Sequence, residues 1–298
     1  MRILITGGSG FVGRLLCHRL HEAGHRLLVV SRSPARAQTH LPEGIEIRES
    51  VMAFADDAPE AIVNLAGEPI ADKRWSEAQK QRLLESRLTI TRELVTLCER
   101  LETPPRVMVS GSAMGFYGDQ GAREVTEQTP PTDEFAHRLC AQWESAARAA
   151  EPLGVRVALL RTGLVLDAGG GTLTKLLPPF RLGLGGRLGS GRQYMPWIHR
   201  EDLVRIVLLL LERDDLEGPF NASAPHPVTN ADFTRTLAHH LHRPALMKVP
   251  AGLLRLALGE MSRLLLTGAR MRPARLEAAG FTFHYPTLDS ALKAILGR

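Results

Sequence analysis

RILITGGSGFVG, residues 2–13, is the stretch whose reading decides the fold. Arg2 to Thr6 is a short aliphatic run that ends in glycines, as a buried parallel strand does. After it Val12, Leu15, Leu16, Leu20 and Ala23 recur at helical spacing, and Gly24 supplies a stop. Gly7, Gly10 and Gly13 therefore form G-x-x-G-x-x-G at a strand-to-helix junction. Glycine there permits a tight turn and close backbone approach, and the helix start offers unpaired N–H groups to a pyrophosphate. The pattern predicts that Gly7, Gly10, Phe11, Val12 and Gly13 contact a dinucleotide.

Further along, Leu27 to Val30 reads as the second strand, and the segment after it selects the cofactor. An acidic residue about 20 positions past the glycines would bind a free ribose 2′-hydroxyl. This chain has Ser31, Arg32 and Ser33 instead. A guanidinium pairs with a 2′-phosphate and Ser31 adds a hydroxyl, so NADP(H) is expected over NAD. The strand-helix alternation continues with Ala61 to Leu65, a helix from Ser76 to Glu102, a strand from Val107 to Ser110, a helix from Glu134 to Ala150 and a strand from Val155 to Arg161. Ser76 and Gln79 have capping-box spacing, and Pro104 with Pro105 close the long helix. Such alternation predicts an α/β Rossmann fold with a doubly wound parallel sheet. Leu65, Ala66 and Gly67, small or apolar groups where a strand meets the ligand edge, are expected to lie along the cofactor.

Beyond Arg161 the regularity fades into glycine-rich stretches, Gly169 to Gly171 and Gly183 to Gly191, which read as loops. Helices are expected from Glu201 to Glu212, Thr229 to Leu241 and Pro250 to Leu266, giving a smaller, mainly helical lobe. The division predicted is a nucleotide domain over residues 1–165, to which later segments return, and a substrate lobe over 166–298.

Composition narrows the function classes. With 44% hydrophobic and 23% charged residues the chain has a globular make-up, and its longest aliphatic run, Ile206 to Leu211, is far short of a membrane span. Cys17, Cys98 and Cys140 are widely spaced, which argues against a disulfide framework or zinc site and fits a reducing cytoplasm. The net charge of +5 raises the question of nucleic acid, yet aromatics are only 5% and no basic run is interleaved with stacking residues. Attraction of an anionic cofactor is the simpler use of the charge. No metal-ligand spacing occurs, and no metal is expected.

TGGSGFVG, NLAGEPIADKRW, SGSAMGFYGD, LLPPFRLGLGGRLGSGRQYMPWIH and the tail GARMRPARLEAAGF together resemble the extended, epimerase-like branch of the short-chain dehydrogenases/reductases. Within it they are similar to the atypical YfcH-type epimerase family, over essentially the whole chain. The resemblance implies an NADP-binding domain followed by a substrate lobe. It also implies that Arg82 and Arg87 reach the cofactor phosphates and that Thr162, Gly163 and Leu164 flank the nicotinamide. Enzymes of that superfamily carry a Tyr-x-x-x-Lys pair on the helix after the fifth strand, where lysine lowers the tyrosine pKa for proton exchange. Here Phe135 and Leu139 stand at those places, so the usual mechanism does not transfer.

Ser110, Ser112 and Tyr117 remain as groups to contact cofactor or substrate, with Ser112, Tyr117 and His137 the catalytic candidates. Trp197 and His199, in PWIHREDL, are expected beside the substrate, and Asp202 either there or at the helix start. The reading is an NADP(H)-dependent oxidoreductase or epimerase acting on a small polar molecule, sugar-like ones included. A catalytically silent NADP(H) sensor is the alternative, and a nucleic-acid binder the weakest one. The oligomeric state stays open, a homodimer among the options.

Overall fold

The computed structural model describes residues 1–297. Its centre is a seven-stranded, all-parallel sheet of β1 (Arg2–Thr6), β2 (Arg26–Val30), β3 (Glu46–Arg48), β4 (Ala61–Asn64), β5 (Val107–Ala113), β6 (Arg156–Thr162) and β7 (Gly218–Ala222). The spatial order is β7-β6-β5-β4-β1-β2-β3, with Thr6 level with Val30 on one side and Asn64 on the other. Successive side chains of a strand face opposite ways, so the apolar runs feed two cores. Ile3, Ile5 and Val109 join one core with Leu16, Leu20 and Val207, while Leu4, Met108 and Leu159 join the other with Leu94 and Val95. The first core is capped by α1 (Phe11–Glu22) and by α5 (Arg200–Glu212), and the second by α2 (Glu77–Arg100) and α3 (Phe135–Arg148). The chain runs β1-β2-β3 to one side and resumes with β4 on the other, so a crevice opens between the ends of β1 and β4.

The Rossmann expectation holds, and several local readings change. The edge strands β3 and β7 were not foreseen, and β7 returns residues 218–222 to the sheet beside β6. Between the two glycine-rich stretches, where the sequence marks no element, lies α4 (Gly171–Arg181) with Pro178 and Pro179 inside it. The segment from Pro250 to Leu266 is not one helix. It breaks at Gly259, which has φ +59°, so α7 (Ala251–Leu258) is followed only by short turns. The capping box at Ser76 is half made. Ser76 accepts from the Gln79 N–H, but the Gln79 side chain donates to Glu68 instead.

In the second lobe α4, α6 (Asn230–Leu241) and α8 (Leu288–Leu296) enclose a core of Leu166, Leu173, Leu177, Phe180, Trp197, Phe233, Leu237 and Leu292. A short parallel pair, Leu164–Asp167 with Trp197–His199, joins this lobe to the sheet. Among the described residues no helix is long and apolar enough to cross a membrane, and no group of three ligand-type side chains is placed to hold a metal. All three cysteines are buried and free.

Candidate functional site

The glycine loop turns from β1 into α1 at the mouth of the crevice. Gly7 takes φ +73°, and a Cβ on it would lie 2.8 Å from the Leu65 carbonyl and 2.9 Å from the Ala66 nitrogen. The loop is thus pressed onto the β4 exit with no room for a side chain. Gly13 is tighter still, since a Cβ there would fall 2.1 Å from the Gly7 carbonyl oxygen. Gly10 is the helix N-cap with no side-chain cap, and a Cβ on it would meet only the Gly7 carbonyl oxygen, at 3.0 Å. The first helical hydrogen bond is donated by Arg14 to Gly10 O, so the N–H groups of Phe11, Val12 and Gly13 precede it. Such a helix start receives an anion.

The floor of the crevice is a closed polar network. Thr6 Oγ1 donates to Asn64 Oδ1 at 2.7 Å and accepts from the Ala66 N–H. Asn64 Nδ2 donates to Thr91 Oγ1 at 2.8 Å and to Ser110 Oγ at 3.3 Å, and Trp143 Nε1 also donates to Thr91 Oγ1. These groups fix Leu65, Ala66 and Gly67 relative to the glycine loop. Ser110 is fully buried within this network, beneath the crevice rather than on its wall.

Arg32 follows β2 at the far side of the loop. It is exposed, and among the described residues no hydrogen bond or ion pair engages it. Ser31 donates its N–H to Arg48 O, and its Oγ accepts from the Ser33 N–H. Arg82 is exposed on α2, near enough to Glu68 to help hold that carboxyl below its ordinary range, behind Gln79 and Lys73. Arg87 differs. Its guanidinium is buried, donates to Leu83 O and Glu68 O, and stacks on Trp143. It packs against Gly67, and burial lowers its pKa.

On the substrate side the catalytic candidates fall into two groups. Ser112 and Tyr117 belong to an interior network. Ser112 Oγ donates to Glu144 Oε1 at 2.7 Å, and Arg161 makes a two-pronged contact with the same carboxylate through Nε and Nη2, both 2.9 Å. Arg161 also donates to the Tyr117 hydroxyl, which itself donates to Asn221 Oδ1 at 2.6 Å. Burial pushes the Tyr117 hydroxyl up to about 12, against the opposing pull of Arg161. Tyr117 is wholly enclosed, its hydroxyl linking Arg161 to Asn221. His137, at the first turn of α3, is half-buried. Its Nδ1 lies 2.7 Å from Phe116 O, and because a carbonyl only accepts, Nδ1 is the donor there. Phe135 packs edge-on against Trp75 at 4.9 Å, and Leu139 is buried, so neither position offers a proton.

Thr162, Gly163 and Leu164 cross from β6 into the lobe. Gly163 donates to Ala222 O and Leu164 to Pro196 O, and a Cβ on Gly163 would fall 2.7 Å from Pro196 O. The residues of PWIHREDL expected beside the substrate are mostly enclosed. Trp197 is only 1% exposed and packs in the lobe core, while the His199 Nδ1 caps α5 by accepting the Glu201 N–H. Burial lowers the His199 pKa, which keeps Nδ1 free to accept. Asp202 accepts the His284 and Tyr285 N–H groups and so ties the C-terminal segment to α5. The sequence does not single out Glu144, Arg161 and Asn221; Arg161 and Asn221 stand near the ends of strands, and Glu144 lies on the buried face of α3.

Fold and crevice together define a dinucleotide-type Rossmann protein with an appended lobe. A family model, NAD dependent epimerase/dehydratase family, matches residues 3–223, and a domain of unknown function (DUF1731) matches residues 249–295. The chain belongs to this epimerase/dehydratase family. It is 41% identical over 294 residues to the epimerase family protein Mb2239 of Mycobacterium bovis, covering 97% of this chain and 96% of that one. It is 36% identical over 300 residues to the mouse epimerase family protein SDR39U1, covering 99% and 100%. Among solved structures, human SDR39U1 with NADPH superimposes with a TM-score of 0.89 at 34% identity over the whole of both chains. A nucleoside-diphosphate sugar epimerase from Corynebacterium glutamicum gives 0.80 at 32% identity, covering 100% of this chain and 58% of that one.

Proposed function

We propose that this protein binds NADP(H) in the β1–β4 crevice and works as an oxidoreductase or epimerase-like enzyme on a small polar substrate. The observation that carries the reading is Arg32, an exposed guanidinium without a partner among the described residues, where an acidic residue would select a free ribose hydroxyl. The NADPH in the related human structure supports it. The crevice fits the cofactor: Gly10 leaves open space before an uncapped helix start, and Leu65, Ala66 and Gly67 offer backbone for the adenosine side. In this reading Gly7, Gly10, Phe11, Val12 and Gly13 receive the pyrophosphate, Ser31 and Arg32 the 2′-phosphate, and Thr162, Gly163 and Leu164 border the nicotinamide. Arg82 faces solvent from where it would meet the phosphates. Residues 1–165, completed by α5 and β7, form the nucleotide domain, and the rest forms the substrate lobe. A cytoplasmic site of action fits the three free, buried cysteines.

The cofactor would supply hydride chemistry, and the protein would have to supply the proton. His137 is the candidate proton-transfer group, because its ring is tethered through Nδ1 to Phe116 O and the residue is only half-buried. Ser112, buried and donating to Glu144, would act by holding that carboxylate together with Arg161. A second reading, a silent NADP(H)-binding sensor, is favoured by Phe135 packed on Trp75 where the proton donor would stand. A screen of NADPH oxidation and NADP reduction against small carbonyls, polyols and sugar nucleotides separates the two. The enzyme reading expects turnover that His137→Gln lowers by about 10² or more. Tight NADPH binding with no turnover of any substrate class would make the sensor the better description.

A further inference from the structure

Helices α1 and α5 lie side by side over one face of the sheet, and their first turns bring two arginines to the glycine loop. Arg200, the first residue of α5, stacks its guanidinium on the Phe11 ring at 4.7 Å. Its nearest carboxylate oxygen, Asp167 Oδ2, is 3.7 Å away, beyond hydrogen-bond reach. The Arg14 side chain has no hydrogen bond or ion pair among the described residues, and the Nε atoms of both arginines are buried without an acceptor. The two cations sense each other: burial lowers the Arg200 pKa and Arg14 adds to the shift, against the pull of Asp167.

Two other arginines, Arg87 and Arg272, also leave a buried Nε without an acceptor, but both engage acceptors through their Nη atoms. Arg161 is held by both oxygens of Glu144. At the next residue after Arg200, Glu201 pairs with Arg19 at 3.0 Å, and the ion pair of Arg200 itself is the longer one to Asp167, at 3.7 Å. A half-buried pair of like charges that shares one long ion pair, to Asp167, is unfavourable unless further negative charge joins it. The walls around that space are fitted to Phe11. A Cβ on Gly170 would fall 2.4 Å from the ring, and one on Gly171 2.8 Å, so the loop over residues 167–171 closes against it.

We propose that Arg14 and Arg200 form a two-cation clamp for the diphosphate of the dinucleotide, a site that rests on the NADP(H) reading above. Two guanidiniums against two phosphoryl charges leave the cluster balanced, whereas a single carboxylate would neutralise only one. Phe11 is the platform that holds Arg200 flat toward the open first turn of α1, so side-chain and backbone donors converge on one anion. The clamp acts on a group common to NADPH and NADH, which distinguishes it from Arg32.

The test is titration of NADPH and of NADH, by nucleotide fluorescence or calorimetry, into the unaltered protein and its Arg14→Gln and Arg200→Gln variants, with apoprotein thermal unfolding alongside. Removing either guanidinium should weaken both nucleotides by the same factor, about ten- to a hundredfold. The apoprotein should melt no lower, because each substitution relieves repulsion. Unchanged affinity with a lowered melting temperature would show a structural pair and overturn the clamp. Weakening confined to NADPH would assign the pair to the 2′-phosphate and equally overturn it. If the unaltered protein binds neither nucleotide, the functional reading falls and the clamp with it.

Discussion

Replacing Gly13 and Gly10 by alanine should give opposite phenotypes, although both belong to one motif. A Cβ on Gly13 would lie 2.1 Å from Gly7 O, 2.7 Å from Gly8 Cα and 2.8 Å from Gly8 O, all backbone atoms. The loop would have to retreat by about 1 Å in a region as dense as a crystal. Forcing backbone shifts of this kind costs about 1 to 3 kcal/mol and sometimes more, against at most about 1 kcal/mol gained from replacing glycine in a helix. A net loss near 2 kcal/mol lowers the melting temperature of a chain this size by roughly 4 °C or more. Gly10→Ala meets one atom, at 3.0 Å, and Gly10 has an ordinary φ of −76°, so the fold should survive. Its added methyl instead occupies the approach to the helix start, and NADPH affinity should drop at least tenfold. Differential scanning fluorimetry with and without NADPH reads both effects. A Gly13→Ala protein as stable as the parent, or a Gly10→Ala protein that binds normally, would refute the division of labour between the two glycines.

Glu144→Ala strands the buried Arg161 guanidinium and should cost about 3 to 5 kcal/mol by urea unfolding, whereas a cost under about 1 kcal/mol would mean the pair is not interior. The Tyr117 hydroxyl is pushed up to about 12 from its ordinary 10 by burial, so its contribution is intact below pH 10 and disappears as the pH rises to about 12. Tyr117→Phe should flatten that alkaline loss of stability, and an unchanged alkaline profile would contradict the assignment. Burial lowers the His199 pKa below 6.5, so the neutral ring stabilises the fold above that pH and the benefit fades as acid charges it. His199→Asn keeps a cap acceptor and should reduce the acid sensitivity of the melting temperature, a change that a solvent-exposed His199 would not produce.

The parts of this fold that were legible share one property: apolar content and glycine punctuation agree. Arg2–Thr6 is a strand over the very residues the pattern marks, because its core residues are fully buried and Gly7 ends it with a positive φ. The edge strand Glu46–Arg48 is hidden because two of its three residues are charged, as an edge allows. Gly218–Ala222 is masked by glycine, proline and asparagine, tolerable only at the end of a sheet. Pro178 and Pro179 concealed α4 for a related reason, since proline is a poor witness for helix even where a helix forms around it.

In the candidate site the glycine loop and Arg32 were readable from local spacing. Long-range partnerships were not. Nothing near Arg161 in sequence points to Glu144 on another element, and nothing in PWIHREDL tells a substrate residue from a helix cap. Tyr117 and Ser112 were identified as polar groups after a strand, yet their hydroxyls turn inward because a buried carboxylate and a buried amide await them.

The central claim is tested most directly by the dissociation constants of NADPH and NADH for the unaltered protein and for Arg32→Asp, measured at one fixed salt concentration. A charged hydrogen bond of ~1.5 to 3 kcal/mol predicts about tenfold or greater preference for NADPH in the parent. The carboxylate introduced by Arg32→Asp would repel a 2′-phosphate and accept from a free ribose hydroxyl, so the preference should invert in that variant. Equal affinities for the two nucleotides in the unaltered protein would contradict the account.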